Sequence, residues 1–330
     1  MPLSFRRQHE QHACWFATTL VVCLNCCIPW AAGQILGSGA APDLLDLDGY
    51  PAQVGYVTTD GFVDADAFLD DQAGWSSSYR SWELLPSGLI YKTYLANVKE
   101  SRLAARVIDV PDESTFLDAN VGARVGLIRY GTHDPIRPEG FQVDAEGSAH
   151  VRLDIPEEVD VRATDFRGGI VATWGNRCQQ TKFGYYHLSS HLGDEFVIKN
   201  PTFDRQNFAR DVLVLGRSIY LNDWLRVYSE AGWAFFSDVS EPWEFQFGFD
   251  YAPMCPTGIR GAPFVAANVH LREEVNFGGN VTGQFGWAWR GAKSGSLFRA
   301  GFHYYNGESS QFSFYDHFEQ QFGFSIWYDR

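Results

Sequence analysis

The sequence predicts an all-β protein: an antiparallel transmembrane β-barrel of about twelve strands with an irregular N-terminal segment. Three observations lead to this prediction. Aromatic residues make up 16% of the 330 residues and glycines number 32, against two methionines, and this composition favours strands. Apolar and polar residues alternate along much of the second half of the chain. The first residues are typical of an export signal, so we expect the mature chain outside the cytoplasm.

The N-terminal residues 1–33 are interpreted as a signal peptide. Arg6 and Arg7 provide a positively charged start, an uncharged stretch follows over 14–32, and small residues at 31–33 provide a cleavage site. The uncharged stretch is also long enough for an uncleaved membrane anchor, which is the alternative. Cleavage is preferred because the stretch ends with Pro29 and small residues, as signal peptides end.

Residues 34–86 form an acidic segment for which no regular structure is predicted. Eight aspartates fall within it, with turn-forming residues between them. The barrel is assigned to residues 87–330.

Four runs near the C-terminus alternate most clearly. Their apolar members recur at every second position from Trp243, Val281, Phe298 and Phe322. The residues between them are mostly Gly, Gln, Glu, Arg, Ser or Asp. A soluble sandwich also alternates, but a nearly continuous aromatic face opposite a polar one is typical of strands between lipid and a lumen. Only a closed barrel of strands satisfies its backbone groups within a membrane.

The same alternation gives the predicted topology. Nine strands are predicted towards the C-terminus, near 160–174, 181–190, 205–221, 224–238, 242–253, 262–278, 280–292, 295–308 and 315–330. Segments 89–97, 101–110 and 121–130 bring the number to twelve. A hairpin within 139–155 would raise it to fourteen, and twelve is preferred.

Two cysteines, Cys178 and Cys255, remain after the signal peptide. The predicted turns 175–180 and 253–261 that contain them both lie at the periplasmic rim if the last strand ends in the periplasm. Because disulfides persist in oxidising compartments outside the cytoplasm, a disulfide between the two cysteines is predicted.

Charge and the C-terminus indicate location and partners. With 26 basic and 40 acidic residues, the net charge of −14 argues against nucleic-acid binding. The pattern Gln321-x-Gly323-x-x-Ile326-x-Tyr328 resembles the closing-strand signal read by the outer-membrane barrel assembly machinery. We therefore expect the outer membrane of a Gram-negative-type bacterium, with membrane lipid and the assembly machinery as partners.

Candidate chemistry lies within residues 184–195. His187 and Ser189 are two positions apart on a predicted strand, so both side chains point to one face of the sheet. A histidine beside a serine can act as a base and make the hydroxyl a nucleophile, provided that a third group orients the imidazole.

The sequence of residues 184–189, Gly-Tyr-Tyr-His-Leu-Ser, resembles the Gly-Tyr-x-His-x-Ser motif of outer membrane phospholipase A, a twelve-stranded barrel. The resemblance covers roughly 181–221 and 300–328. It implies that His187 is the base, that Ser189 is the nucleophile, and that Asn207 on the next strand orients the histidine.

This resemblance also implies calcium at the interface of a homodimer. The acidic groups near the relevant rim are Asp194, Glu195 and Asp204. A solvated extracellular loop is the alternative interpretation of these residues. The segments 187–195 and 89–96 also look like an uncharacterised family of exported bacterial proteins, catalogued as a domain of unknown function, which would cover most of the mature chain.

Three functions are compatible with the sequence. The first is an outer-membrane lipid acyl hydrolase with a Ser/His site. The second is a barrel without catalysis, acting as a pore, receptor or structural envelope protein. The third is a secreted soluble β-protein that binds a ligand such as a polysaccharide. The sequence contains no GxSxG elbow, HExxH or P-loop motif.

Overall fold

Long antiparallel strands account for most of residues 79–330, the part of the chain that the computed structural model describes. The strands are β1 Ser81–Leu84, β2 Leu103–Val110, β3 Ser114–Gly131, β4 Gly140–Asp154, β5 Asp160–Gly175, β6 Gln179–Leu192, β7 Ala209–Tyr220, β8 Leu225–Ser237, β9 Trp243–Tyr251, β10 Ala262–Arg272, β11 Gly278–Arg290, β12 Leu297–Glu308 and β13 Phe318–Asp329. A short helix, α1 Asp194–Lys199, follows β6, and single 3₁₀ turns occupy Glu273–Val275 and Phe312–Phe314. No helix in this part is long and apolar enough to cross a membrane.

The predicted signal peptide, 1–33, and most of the predicted acidic segment, 34–86, lie outside the described residues. The strand β1 falls within the last part of that acidic segment, where no regular structure was predicted.

The sheet closes on itself. Each strand from β2 to β13 pairs antiparallel with its neighbours in sequence, and β13 pairs with β2, with Tyr328 opposite Leu103. The result is a barrel of twelve strands, which confirms the predicted fold class and strand number. We call the end at which β13 finishes the periplasmic end and the opposite one the extracellular end.

The outer face of the barrel is apolar. On β13, Phe322, Phe324 and Ile326 are 49%, 53% and 44% exposed, while Gln321 before them and Ser325 between the last two are buried. This is the alternation of an outer-membrane-type barrel, whose aromatic and aliphatic side chains face lipid. It does not fit the alternative of a soluble β-protein, which would bury such side chains.

The inner face carries charge. Seven arginines are among the twelve largest fully buried side chains, and these are Arg124, Arg129, Arg152, Arg210, Arg226, Arg272 and Arg299. Many form ion pairs with carboxylates of the wall, such as Arg124 with Asp144 at 2.7 Å and Arg152 with Asp118 at 2.8 Å. Pairing of this kind is what makes buried charges tolerable.

The first strand of the barrel is interrupted. Leu84 of β1 lies opposite Ile128 of β3, and Ala104 of β2 lies opposite Asn120 of the same strand. Both strands therefore occupy one position in the wall. The chain between them, residues 85–102, leaves the wall and folds into the barrel, and we call it the lumenal segment. Residues 121–126 of β3 have no paired strand on that side.

Polar groups of the wall hold the backbone of the lumenal segment from several directions. Arg226 of β8 donates to the carbonyl of Lys92 at 2.8 Å, and Arg299 of β12 donates to the carbonyl of Leu95 at 3.2 Å. The amide of Leu95 donates to Asp250 of β9 at 3.2 Å. Because these carbonyls and amides are inside the barrel, such bonds satisfy groups that would otherwise be buried without partners.

Side chains of the lumenal segment fill the remaining space. The ring of Tyr94 stacks on Tyr228 of β8 with centroids 3.8 Å apart, and its hydroxyl donates to Glu230 at 2.9 Å. Lys99 forms a buried ion pair with Asp165 of β5. The lumen is thus occupied by a fixed part of the chain.

The β3–β4 loop packs against this segment at the periplasmic end. Gly88 has a φ of 73°, and a Cβ there would lie 2.1 Å from the carbonyl oxygen of Pro135. Gly295, with a φ of 66°, approaches the same oxygen from the β11–β12 loop. Only glycine permits both the left-handed backbone and this close approach.

The strand assignment from sequence needs two corrections. Segment 89–97 was predicted as a strand and is instead part of the lumenal segment. Segment 139–155 forms the single strand β4, whereas the preferred assignment had no strand there and the fourteen-strand alternative had a hairpin. The cause of the first error is burial on all sides: Leu89, Ile90 and Tyr91 are consecutive and all buried, which is not the one-sided pattern of a wall strand.

The predicted disulfide is not formed in this structure. Cys178 and Cys255 both lie at the periplasmic rim, as expected, but both are free and exposed. Cys178 belongs to the β5–β6 turn and Cys255 to the β9–β10 loop, so four strands separate them around the rim. Neighbouring strands lie about 4.8 Å apart, whereas the Cα atoms of a disulfide lie within about 7 Å.

We therefore expect both thiols to react with a maleimide without prior reduction. Peptide mapping by mass spectrometry should show one label on the peptide of Cys178 and one on that of Cys255, because each thiol is exposed. Labelling of a Cys178→Ser variant should leave the modification of Cys255 unchanged. A cross-linked Cys178–Cys255 peptide from unreduced protein would contradict the structure.

Candidate active site

The candidate histidine and serine lie on the outer wall of the barrel, towards the extracellular end of β6. Tyr185, His187 and His191 of this strand are exposed and Ser189 is half-buried, while Leu188 between them points inwards. His187 and Ser189 therefore share the lipid-facing side, as the sequence spacing predicted.

Asp211 of β7 orients the histidine. It lies directly opposite His187 in the β6–β7 pairing, and His187 Nδ1 is 2.9 Å from Asp211 Oδ1. The hydroxyl of Tyr185 donates to the same oxygen at 2.6 Å. Because a carboxylate only accepts hydrogen bonds, Nδ1 carries a proton, and in the neutral imidazole Nε2 then has the free lone pair. This is the form of imidazole that can accept a proton from a hydroxyl.

Asn207 does not have the predicted orienting role. Its Nδ2 donates to Asp238 at 3.0 Å, whereas His187 Nδ1 is bonded to Asp211. The register explains the difference, because Ser189 pairs with Ala209 and His187 with Asp211, so that Asn207 precedes the first residue of β7. The position opposite the histidine is held by an aspartate.

One large and one small residue flank the serine in the neighbouring strands. Ser189 has Phe166 of β5 and Ala209 of β7 as its cross-strand partners, and His187 faces Gly168 on β5. The hydrogen bonds found among residues 79–330 include none to Ser189 Oγ. The hydroxyl of Ser189 and Nε2 of His187 are therefore not joined by a hydrogen bond in this structure.

A β-bulge lies beside the aspartate. Asp211 pairs with Phe236 of β8 and Val212 pairs with Ala234, so Phe235 is an extra residue in that strand. Bulges redirect side chains and are frequent next to active sites. Here the bulge exposes Phe235 and Phe236 together on the outer wall, each 51% exposed.

The acidic residues considered for calcium lie on two segments at the extracellular end. Asp194 and Glu195 form the first turn of α1, and Asp204 lies in the loop before β7. Within the described part of the chain, no group of three or more His, Cys, Asp or Glu side chains is placed to hold a metal ion. Lys199, at the other end of α1, bonds Glu157 at 2.7 Å and holds the helix against the β4–β5 turn.

A comparison with protein-family models shows to which family the chain belongs. The model described as "Protein of unknown function (DUF1207)" matches residues 81–329, from β1 to the end of β13. The chain belongs to this family. The membership confirms the expected relation to an uncharacterised family, and the family's description states no reaction.

Several solved structures are similar to the DUF1207 chain at low identity. Outer membrane phospholipase A from Escherichia coli is 10% identical with a TM-score of 0.46, covering 71% of this chain and 91% of that chain. The KdgM porin is 11% identical with a TM-score of 0.37, covering 68% and 97%. A mutant of the Rh. blastica porin is 11% identical with a TM-score of 0.30, covering 70% and 98%. In the comparison with curated proteins, none matches.

Asp211 is the site residue of the DUF1207 chain that sequence reasoning missed. One signal was available: an aspartate at an outward position of an otherwise apolar strand is costly unless a partner compensates it. Identifying that partner as His187 requires the register of β6 against β7, which the sequence does not state.

Proposed function

We propose that this protein is an outer-membrane lipid acyl hydrolase in which Ser189 is the nucleophile, His187 the base and Asp211 the orienting group. The observation that carries the proposal is the 2.9 Å bond between His187 Nδ1 and Asp211 Oδ1, which leaves Nε2 free on the face that also bears Ser189. The apolar outer wall supports a location in the outer membrane.

The chemistry follows from this arrangement. His187 Nε2 takes the proton of Ser189 as Oγ attacks the carbonyl carbon of a lipid ester. The protonated imidazole, stabilised by Asp211, then gives the proton to the leaving alcohol oxygen, and an acyl-serine remains. Water, deprotonated by the same histidine, releases the fatty acid and restores the serine. Because the site is on the outer wall, a lipid reaches it by lateral diffusion.

Of the other functions considered, an open pore has the least support. The lumenal segment crosses the lumen, and wall groups such as Arg226, Arg299 and Asp250 bond to its backbone. A closed barrel that acts as a receptor or structural protein is the outcome expected if the hydrolase assay fails. The test is hydrolysis of a fluorogenic phospholipid by the refolded chain. Assays with calcium and with a chelator test whether the activity needs calcium, and chemical cross-linking in the same samples tests whether the chain forms a homodimer.

Within that assay, Asp211→Asn is expected to reduce kcat/KM by about 10²–10⁴-fold, since loss of the carboxylate removes both the orientation and the charge stabilisation of the imidazole. Asn207→Ala should remain close to wild type, because the hydrogen bond found for its side chain goes to Asp238 and not to His187. If Asn207→Ala is the more damaging of the two, the assignment of Asp211 is wrong.

A further inference from the structure

The wall of the barrel has a gap beside β3, between the end of β1 and the start of β2. Residues 121–126 of β3 pair with β4 on one side and with no strand on the other. A pocket of about 370 Å³ opens at this gap, and we call it the wall pocket. Its volume lies within the range of about 300–1,000 Å³ that is usual for ligand sites.

The wall pocket lies where the outer wall meets the periplasmic end. Leu103 of β2 and Tyr328 of β13 are directly paired, form its lipid-facing border and are 49% and 43% exposed. Ser294, from the β11–β12 loop at the periplasmic end, lines another side. Outward aromatic residues near the end of a barrel mark the boundary between hydrocarbon and headgroups. The wall pocket is therefore at the level of the lipid headgroups of the periplasmic leaflet.

The edge of β3 brings unpaired backbone groups to the wall pocket, which Gly122 and Ala123 line. The backbone hydrogen bonds found between other segments of residues 79–330 and this side of β3 include none to residues 121–126. Val121 is 62% exposed, so the lumenal segment does not cover this edge from outside. An open sheet edge towards lipid is costly, because hydrocarbon offers no hydrogen bonds. The edge therefore indicates an occupant with both acceptors and donors.

Two serines of the β11–β12 loop present hydroxyl groups to the wall pocket. Ser296 lines it and is only 6% exposed, yet the hydrogen bonds found within the described chain include none to its hydroxyl. The hydroxyl of Ser294 accepts a bond from the amide of Ser296 at 3.2 Å, and its own proton remains available to donate. Because a buried hydroxyl group normally has a partner, Ser296 also indicates an occupant.

The charge around the wall pocket is positive. The side chains that line it in the described chain include those of Arg102 and Arg330 and no carboxylate. Arg102 pairs with Asp329 at 2.8 Å. Arg330 is exposed, and the ion pairs found among residues 79–330 include none with its guanidinium. An anionic group in the wall pocket would therefore meet a guanidinium without a carboxylate partner, beside hydroxyl donors.

We propose that the wall pocket binds the headgroup of one phospholipid of the periplasmic leaflet. The phosphate lies between the guanidinium of Arg330 and the hydroxyls of Ser294 and Ser296. The acyl chains extend over Leu103 and Tyr328 into the bilayer. Guanidinium and hydroxyl groups are suitable donors to phosphate oxygens. The proposal does not depend on the hydrolase activity, because the wall pocket is separate from the outer-wall residues of β6.

The backbone of the β3 edge determines which headgroup fits. Phosphate oxygens can accept hydrogen bonds from the amides of residues 121–126, but the carbonyls of this edge require a donor. Ethanolamine and glycerol headgroups carry N–H or O–H donors, whereas the trimethylammonium group of choline carries none. We therefore expect phosphatidylethanolamine and phosphatidylglycerol to bind better than phosphatidylcholine. A strand of another protein is a poorer occupant, because β1 and β2 already pair with β3 at both ends of the gap.

The experiment is native mass spectrometry of the refolded full chain in detergent, with ether-linked phospholipids added. These lipids contain no ester for a hydrolase, so retention reports binding whether or not the chain hydrolyses lipid. We expect one phosphatidylethanolamine per chain, retained at least about threefold better than phosphatidylcholine at equal concentration. This comparison uses the unmodified chain, so it stands even if a variant fails to fold. Absence of retained lipid, or equal retention of the two lipids, overturns the proposal.

Arg330→Gln should reduce retention of phosphatidylethanolamine at least about tenfold and Ser296→Ala about threefold, with unchanged heat-modifiable gel mobility. Arg260→Gln is the matched control, because Arg260 is an exposed arginine of the β9–β10 loop at the same end of the barrel. This control should retain the lipid as the wild type does. If Arg330→Gln and Arg260→Gln retain equal amounts, the lipid is bound elsewhere on the wall and the proposal is wrong.

Discussion

Ser189→Ala is expected to reduce the rate of phospholipid hydrolysis by at least about 10³-fold, and His187→Ala by a similar factor. Without the hydroxyl there is no acyl-serine, and without the imidazole no group takes the proton from Oγ. Because the three groups of such a site act as one unit, the double variant should be little worse than either single variant. The measurement is initial rates on a fluorogenic phospholipid in detergent.

His191→Ala is the matched control for this prediction. His191 lies on the same outward face of β6, and its ring contacts Phe166 with centroids 5.9 Å apart. Its loss removes an exposed imidazole of similar position without touching Asp211 or His187. Equal losses in His191→Ala and His187→Ala would show that the effect is general disturbance of the wall. Retained activity in Ser189→Ala would refute the serine as nucleophile.

Removal of the lumenal segment is expected to turn the closed barrel into a conducting one. The partners of Leu84 and Ala104 on β3 are Ile128 and Asn120, which are eight positions apart. Seven residues between Leu84 and Ala104 would therefore complete an unbroken first strand. Replacing residues 85–103 by seven residues of alternating polarity should leave the barrel closed and its lumen empty. A lumen lined by charged side chains fills with water, and single-channel conductance should rise about tenfold or more above the intact chain.

The control for this deletion shortens a loop that does not enter the lumen, such as residues 200–206 at the extracellular end. That variant should show the same low conductance as the intact chain in planar bilayers. If the chain without the lumenal segment keeps heat-modifiable mobility but conducts no current, the segment is not what closes the lumen.

The sequence was sufficient for the wall of the barrel because the wall follows a local rule. Phe322, Phe324 and Ile326 alternate with polar residues whichever strands neighbour them, so their outward direction can be predicted from spacing alone. The same rule placed His187 and Ser189 on one face. It also placed Cys178 and Cys255 at one rim, but whether they bond depends on the distance around that rim.

Features that depend on non-local contacts were missed. Leu89–Ala96 is apolar enough for a strand, and only the continuity of pairing along β3 shows that it lies inside the barrel. Asp211 was missed because its meaning depends on one register between two strands. A shift of a single residue would have turned it to the lumen, where it would be one more buried carboxylate among many.

The shortness of β2 has a consequence for how the cylinder comes together. β2 has eight residues and is held by seven residue pairs on each side, against twelve pairs between β12 and β13. The first and last strands of the cylinder are therefore joined by a short seam. The lumenal segment directly precedes β2 in the chain, so it need not be threaded through a closed barrel. It can lie against the inner face of an open sheet, which then closes around it when β2 pairs with β13.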